Sequence, residues 1–218
     1  MNAAIIIAAR GGLEAKRRCA EVLTPEGRAG LARAMLADML GAIAGRAGMP
    51  PVWVVTPSAD LADLARSAGA QVLFEATAAG LGAAFQLART QLAQADPQAL
   101  AVLLPGDLPL VDGEELAGAI AQWRPGEAGI VAAQADGGTG ALLLGAGAVF
   151  DFAYGKGSHS RHVAAARAAG LEPRLIDAPS LSFDVDRPAD IAALLASTGA
   201  GRTRAWIEAQ LQPEATDQ

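Results

Sequence analysis

Lysine, histidine and cysteine are nearly missing from this chain. Of its 17 basic residues only Lys16 and Lys156 are lysines, and the two histidines, His159 and His162, lie close to Lys156. Cys19 is the single cysteine, which excludes an intrachain disulfide and fits a reducing cytoplasm. Aromatic residues make up 4% of the sequence, and no apolar run approaches the length a bilayer requires. The opening Met1-Asn2-Ala3-Ala4-Ile5 carries no basic leader or cleavage pattern, so no secretory signal is expected. Positive charge is not in excess either: the formal net charge is −6, which argues against a nucleic-acid partner.

What is present is a chain of 218 residues, 52% hydrophobic and rich in alanine and glycine. That suits one α/β domain with a sizeable core and is short for two. On an acidic chain, gathering the few lysines and histidines into two glycine-containing loops points to anion sites there, the alternative being chance placement in a composition low in lysine.

Apolar runs alternate with helical patterns. Strands are expected at Ala3–Ala9, Val52–Thr56, Gln71–Phe74, Ala99–Leu104, Gly129–Ala133 and Ala141–Leu144. Between them fall helices: one opened by Thr24-Pro25-Glu26 and running to about Ala44, then Ala59–Ala68, Gly80–Ala95 and Asp112–Trp123. In the first helix Leu31, Met35, Met39 and Ile43 share a face at steps of four. After Ala135 the pattern loosens, with a helix near Arg161–Ala169, strands near Arg174–Ile176 and Leu181–Phe183, and a helix Pro188–Leu195. This alternation predicts a mostly parallel sheet with helices on both faces. Residues 201–218 are expected to form a C-terminal extension, partly helical or frayed, beyond a domain spanning 1–200.

The strand Ala99–Leu104 runs into Pro105-Gly106-Asp107-Leu108-Pro109. Ligands of open α/β sheets bind beyond the strand carboxyl ends, so Asp107 is placed to act on a ligand rather than to fill a core. Asp184 and Asp186 are two apart, and in an extended segment such residues point the same way. Three carboxylates converging would suit Mg²⁺, which takes oxygen ligands together with substrate phosphates. The alternative for Asp184 and Asp186 is a turn that caps the helix after Pro188. The loop Arg10-Gly11-Gly12-Leu13-Glu14-Ala15-Lys16 follows the first strand and offers glycine N–H groups and basic side chains to a phosphate. It matches neither the Walker pattern nor the dinucleotide fingerprint. A second loop, Tyr154-Gly155-Lys156-Gly157-Ser158, opens a helix, with Arg161 nearby as a further cation for a phosphate or carboxylate. His159 and His162 lack the cysteine or HExxH company of a zinc site, and a hydrogen-bonding role suits them better. Cys19 sits among basic residues that would lower its pKa, yet nothing around it completes a nucleophilic constellation.

Taken together these segments resemble the 2-phospho-L-lactate guanylyltransferase family of coenzyme F420 biosynthesis. The resemblance rests on Glu14-Ala15-Lys16, Ala34-Met35-Leu36-Ala37-Asp38, Pro105-Gly106-Asp107-Leu108-Pro109-Leu110, Asp136-Gly137-Gly138-Thr139, Tyr154-Gly155-Lys156-Gly157-Ser158, Arg161-His162 and Phe183-Asp184-Val185-Asp186. It implies a single Rossmann-like nucleotidyltransferase domain, GT-A-like and three-layered, that uses Mg²⁺. The reaction it implies joins GMP from GTP to 2-phospho-L-lactate, phosphoenolpyruvate or 3-phospho-D-glycerate and releases pyrophosphate. Asp107, Asp184 and Asp186 would hold the metal, with Asp107 and Lys16 catalytic. Arg10, Gly11, Gly12, Lys16, Gly80, Gly82 and Pro105 would face the nucleotide, and Thr139, Gly155, Ser158 and Arg161 the acceptor. The chain departs from the family pattern at Gly82 and Gly140, where asparagine is usual, and at Arg10, Arg17-Arg18-Cys19 and His159. The alternatives are a molybdopterin- or sugar-phosphate-type nucleotidyltransferase on the same fold, or a nucleotide-binding relative without turnover. No membrane partner is expected, and a homodimer is left open.

Overall fold

The computed structural model describes residues 2–75, 79–135 and 137–211. Asp136 of the Asp136-Gly137-Gly138-Thr139 block and the expected frayed end, 212–218, lie outside the described residues. Among the described residues seven strands form one sheet: β1 Ala3–Ala8, β2 Val52–Thr56, β3 Gln71–Phe74, β4 Leu100–Pro105, β5 Glu127–Ala132, β6 Thr139–Gly145 and β7 Glu172–Leu175. Their order is β3-β2-β1-β4-β6-β5-β7, and β6 runs antiparallel to both of its neighbours while the other pairings are parallel. The helices are α1 Pro25–Ala44, α2 Ala59–Ser67, α3 Leu81–Ala95, α4 Gly113–Gln122, α5 Ser158–Ala168, α6 Pro188–Ala196 and α7 Gly201–Leu211. No helix among the described residues is long and apolar enough to cross a membrane.

Alternation along each strand sends its side chains to two cores. Ile5, Ile7, Val54, Val102 and Leu104 face α1, α2 and α4 on one side. Ile6, Val55, Leu103 and Leu142 face α3 and α5 on the other. The result is the three-layer arrangement. Helix starts follow local chemistry: the Thr24, Ser58 and Asp112 side chains accept backbone N–H groups of α1, α2 and α4, each satisfying donors that a helix start leaves open.

The C-terminal helix is part of the body. The indole of Trp206 in α7 packs on Gly30 of α1, so close that no side chain fits at position 30, and its N–H donates to the Gly27 carbonyl at 3.0 Å. Ile207 joins Leu31, Met35, Ile191 and Leu194 in a third buried cluster, and Asp38 accepts the N–H groups of Arg202 and Thr203.

The expected strand at Leu181–Phe183 does not form. Pro179–Leu181 is a 3₁₀ turn, followed by an irregular run to Asp186. That run is fastened at points rather than along a ladder: Gln134 N–H donates to the Ser182 carbonyl at 2.7 Å, and Val185 N–H to the Asp107 carbonyl at 3.2 Å.

Strand order reverses between β1 and β4, and their register pairs Ala8 with Pro105, so the two strands end level. The residues beyond both ends are thereby brought side by side. Gly106 allows it: a Cβ there would meet Ala9 Cβ at 2.7 Å. This crevice is where an α/β sheet of this kind takes its ligand.

Candidate active site

Two cavities open at the carboxyl ends of the strands. One, of about 460 Å³, is lined by Arg10, Gly11 and Lys16 from the loop after β1, by Glu75 and Gly80 before α3, and by Pro105. The other, of about 550 Å³, is lined by Thr139 and Gly140 of β6, by Gly155, Lys156 and Ser158 around the start of α5, and by Asp184. Arg18, Leu81, Pro105, Asp107 and Asp186 line both. Asp107 and Asp186 thus mark the junction of two compartments, one offering the β1 loop and the other the α5 loop.

Lys16 ties the junction together. Its ammonium donates to Asp107 Oδ2 at 2.6 Å and to Asp186 Oδ1 at 3.0 Å. Arg18 reaches Asp186 Oδ2 at 3.1 Å. Burial works against the charged lysine, but the carboxylates of Asp107 and Asp186 outweigh it and hold its pKa above the ordinary lysine range. Asp186 is likewise held below the usual carboxylate range, its burial being outweighed by Lys16, Arg18 and Arg187. Among the described residues no cation contacts Asp184 in this way. Burial, then repulsion from Asp107 and Asp186, pushes its pKa up to about 6.

The backbone is bent to make this contact. Lys16 has φ 48°, the left-handed region that costs a residue with a Cβ about 1 kcal/mol or more. What holds it there is Arg28, buried in the first turns of α1, whose guanidinium donates to the carbonyls of Leu13, Ala15 and Leu23 at 3.0–3.2 Å. Arg28→Met keeps the length of the side chain and abandons all three carbonyls. Its expected effect is a fall in kcat/KM of about 10-fold or more, on the scale of losing one charge-assisted hydrogen bond. Steady-state kinetics with each substrate varied in turn checks it.

Asp184 and Asp186 do not cap the following helix. Asp190 does so, accepting the N–H groups of Asp186 and Arg187 at 2.9 and 2.8 Å. The Asp186 carboxylate is thereby left for Lys16 and Arg18. The two acids do not sit on a regular strand as the spacing predicts, yet Asp107, Asp184 and Asp186 line one cavity and feel one another's charge. Among the described residues no three of His, Cys, Asp and Glu stand as a ready-made ligand set, because the Lys16 ammonium lies between Asp107 and Asp186. The donor set nonetheless fits a hard cation: all three are oxygen donors, and Asp107 Oδ1 is buried without a hydrogen-bond partner.

Of the residues expected at the nucleotide, Arg10, Gly11, Lys16, Gly80 and Pro105 line the first cavity. Gly12 and Gly82 line neither cavity. Gly12 faces open space, and Gly82 is needed for close packing, since a Cβ there would meet Phe152 Cβ at 2.8 Å. Of the residues expected at the acceptor, Thr139, Gly155 and Ser158 line the second cavity. Gly155 adopts φ 116°, a conformation that glycine supplies without strain. Arg161 does not line it. Its guanidinium is spent on the carbonyls of Ala153, Gly155 and Lys156 at 2.8–3.4 Å, and so shapes the loop from behind. Cys19 is fully buried and burial pushes its thiol up, the opposite of the activation its basic neighbours suggest. Sequence reasoning passed over Arg28, Glu75 and Asp190. Each reads as an ordinary charge on or beside a helix until the partner segments are brought to it.

His162 is fully buried among Tyr154, Phe150 and the hydroxyls of Thr139 and Ser158. Both ring nitrogens are engaged by the protein, which removes it as a zinc ligand. Burial, with lesser contributions from the charges of Arg161 and His159, lowers its pKa from 6.5 to about 4. The unfolded chain therefore binds a proton between pH 6.5 and 4 that the folded chain refuses. Stability is full above about pH 6.5 and falls as pH drops toward 4, by about 2–3 kcal/mol from this group. Denaturant melts across that range check the slope, and His162→Gln removes this residue's share of it.

A solved nucleotidyl transferase from Methanothermobacter thermautotroptrophicus shares the fold, with a TM-score of 0.65 at 18% identity over 88% of this chain and 95% of its own. The family described as "Guanylyl transferase CofC like" matches residues 3–211, and the chain belongs to it. A 3-phospho-D-glycerate guanylyltransferase of Phenylobacterium zucineum is 43% identical over 209 residues, 95% of each chain. A phosphoenolpyruvate guanylyltransferase of Rubrobacter xylanophilus is 37% identical over 186 residues, covering 85% of this chain and 89% of its own.

Proposed function

We propose that this guanylyltransferase transfers GMP from GTP to a small phosphorylated three-carbon acid, with 3-phospho-D-glycerate as the acceptor. The product would feed the assembly of coenzyme F420 in the cytoplasm. One observation carries the reading: two cavities with different linings meet at Asp107 and Asp186. A nucleotide in the first and an acid in the second would bring α-phosphorus and acceptor phosphate together at that junction. The 43% identity to the 3-phospho-D-glycerate enzyme, against 37% to the phosphoenolpyruvate enzyme, favours the first acceptor.

An oxygen of the acceptor phosphate forms the new bond to the α-phosphorus as the bond from that phosphorus to the pyrophosphate oxygen breaks. The attacking oxygen is already ionised, so the protein need not remove a proton. Its work is positioning and charge stabilisation. The β1 loop, with Arg10, Lys16 and the nearby Arg18, surrounds the triphosphate with positive charge. Lys16, held by Asp107 and Asp186, would meet a phosphate oxygen at the same junction. Asp107, Asp184 and Asp186 would hold Mg²⁺, which when bound neutralises charge on the departing pyrophosphate. Thr139, Gly155 and Ser158 orient the acid.

The test is pyrophosphate release with Mg²⁺ across four nucleoside triphosphates and three acceptors: 3-phospho-D-glycerate, phosphoenolpyruvate and 2-phospho-L-lactate. Release is expected with GTP and 3-phospho-D-glycerate. Release with a different pairing corrects the substrates, and silence across the grid from folded protein overturns the reading.

A further inference from the structure

The hydrogen-bond chain behind the second cavity has a direction, and His162 sets it. Ala153 N–H donates to His162 Nε2 at 3.0 Å. A backbone N–H has no other role in this contact, so Nε2 must carry the lone pair. The neutral imidazole then holds its proton on Nδ1, and Nδ1 donates to Thr139 Oγ1 at 2.8 Å. Thr139 Oγ1 and Ser158 Oγ lie 2.9 Å apart and share one hydrogen bond between them. Two hydroxyls bring two hydrogens, and that bond uses one. The other is left over, and both residues line the cavity. Reversing the imidazole tautomer would reverse this count. Nδ1 would then accept from Thr139, Ser158 would donate to Thr139, and no hydroxyl hydrogen would remain.

We infer that His162 is a positioning residue that fixes the Thr139–Ser158 pair as a net hydrogen-bond donor, so that the second cavity selects a fully ionised phosphate or carboxylate of the acceptor. The inference deepens the acceptor site proposed above and rests on it for the identity of the anion. The three side chains are suited to hold such a direction, since His162, Ser158 and Thr139 are all buried. Phe150 and Tyr154 pack their rings within 5.7 Å of the imidazole ring, and they limit its freedom to flip. A ligand carrying a hydroxyl or amine in place of the anion can still accept one hydrogen, but it gains less than an ionised group does.

The direct test is the imidazole tautomer of the ligand-free wild-type protein, read from the ¹⁵N chemical shifts of His162 at pH 7. Protonation on Nδ1 is expected, and protonation on Nε2 overturns the inference whatever the enzyme's substrate proves to be. Kinetics supply the second arm, with 3-phospho-D-glycerate as the probe. His162→Gln places its carbonyl where Nε2 accepts but has no donor for Thr139. It should raise acceptor KM by about 10- to 100-fold while GTP KM moves less than about threefold, the loss expected for one hydrogen bond to a charged group. His162→Asn restores a donor at the Nδ1 position and should recover most of that loss, even though it leaves Ala153 N–H without a partner and melts earlier. Equal rises in both KM values, or no recovery in His162→Asn, would mean a merely structural histidine. If the wild-type protein transfers GMP to none of the three acids, the function proposed above fails, and the tautomer still decides this inference.

Discussion

Asp107→Asn is expected to yield a folded protein that has lost turnover by about 10²–10³-fold or more. The substitution preserves the shape of the side chain and removes its charge, so it separates electrostatics from packing. Asp107 stands where two cavities meet, one oxygen bonded to Lys16 at 2.6 Å and the other buried with no partner. A buried carboxylate oxygen left unpaired is costly, and such a cost persists where ligand binding relieves it. The amide offers that position either a neutral oxygen or an N–H, neither of which holds a cation or anchors the Lys16 ammonium as a carboxylate does. Lys16 retains Asp186, and β4 is fixed by its ladders to β1 and β6, so the melting temperature should change little. Pyrophosphate release, with a thermal melt beside it, decides the matter. Turnover near the wild-type rate would remove Asp107 from the centre of the site.

The legible part of this fold was local. Thr24, Ser58 and Asp112 each announce a helix by chemistry contained within four residues, and those helices begin where the caps place them. Buried strands β1, β2 and β4 stand out as apolar runs for the same reason. Strand order and the antiparallel course of β6 depend on tertiary pairing, which no window of sequence contains. The segment from Leu181 to Val185 shows how period-two alternation misleads: Leu181 and Val185 are buried as a strand face would be, but their backbone is held at isolated points by Gln134 and Asp107. At the site, Asp107 was legible because the strand ends on it. Its convergence with Asp184 and Asp186 was expected from their spacing, and its partnership with Lys16 from the family resemblance. The ion pairs by which Lys16 ties Asp107 to Asp186 were not legible, because those contacts span 91 and 170 residues of chain. Arg28 stayed hidden inside a helical pattern, since an arginine on a helix is ordinarily solvated and nothing local says that three carbonyls await it.

Gly140→Ala is expected to be severely damaging for a reason that neither its strand position nor its family pattern discloses. Gly140 lies in β6 beside Thr139, and a Cβ built there would fall onto the Leu181 carbonyl oxygen, far inside van der Waals contact. The obstacle is backbone, so no rotamer change relieves it. Where the family pattern carries asparagine, this chain instead lets the irregular run from Leu181 to Asp186 lie directly against the strand. That run delivers Asp184 and Asp186 to the site, and it is pinned just beyond the contact by Gln134 N–H to the Ser182 carbonyl and by Val185 N–H to the Asp107 carbonyl. Making room for one methyl group must therefore shift either β6, which carries Thr139, or the segment that carries the two acids. Overpacking of this kind costs about 1–3 kcal/mol, and a shift of even 1 Å in a catalytic group costs about 100-fold in rate. The expected outcome is a lower melting temperature together with a fall in kcat of about 100-fold, larger than the stability loss explains. An asparagine at 140 should fare no better, because its first carbon meets the same carbonyl. Wild-type kinetics in Gly140→Ala would mean that the Leu181–Asp186 segment moves freely, and the close approach of strand and segment would then have no part in placing the acids.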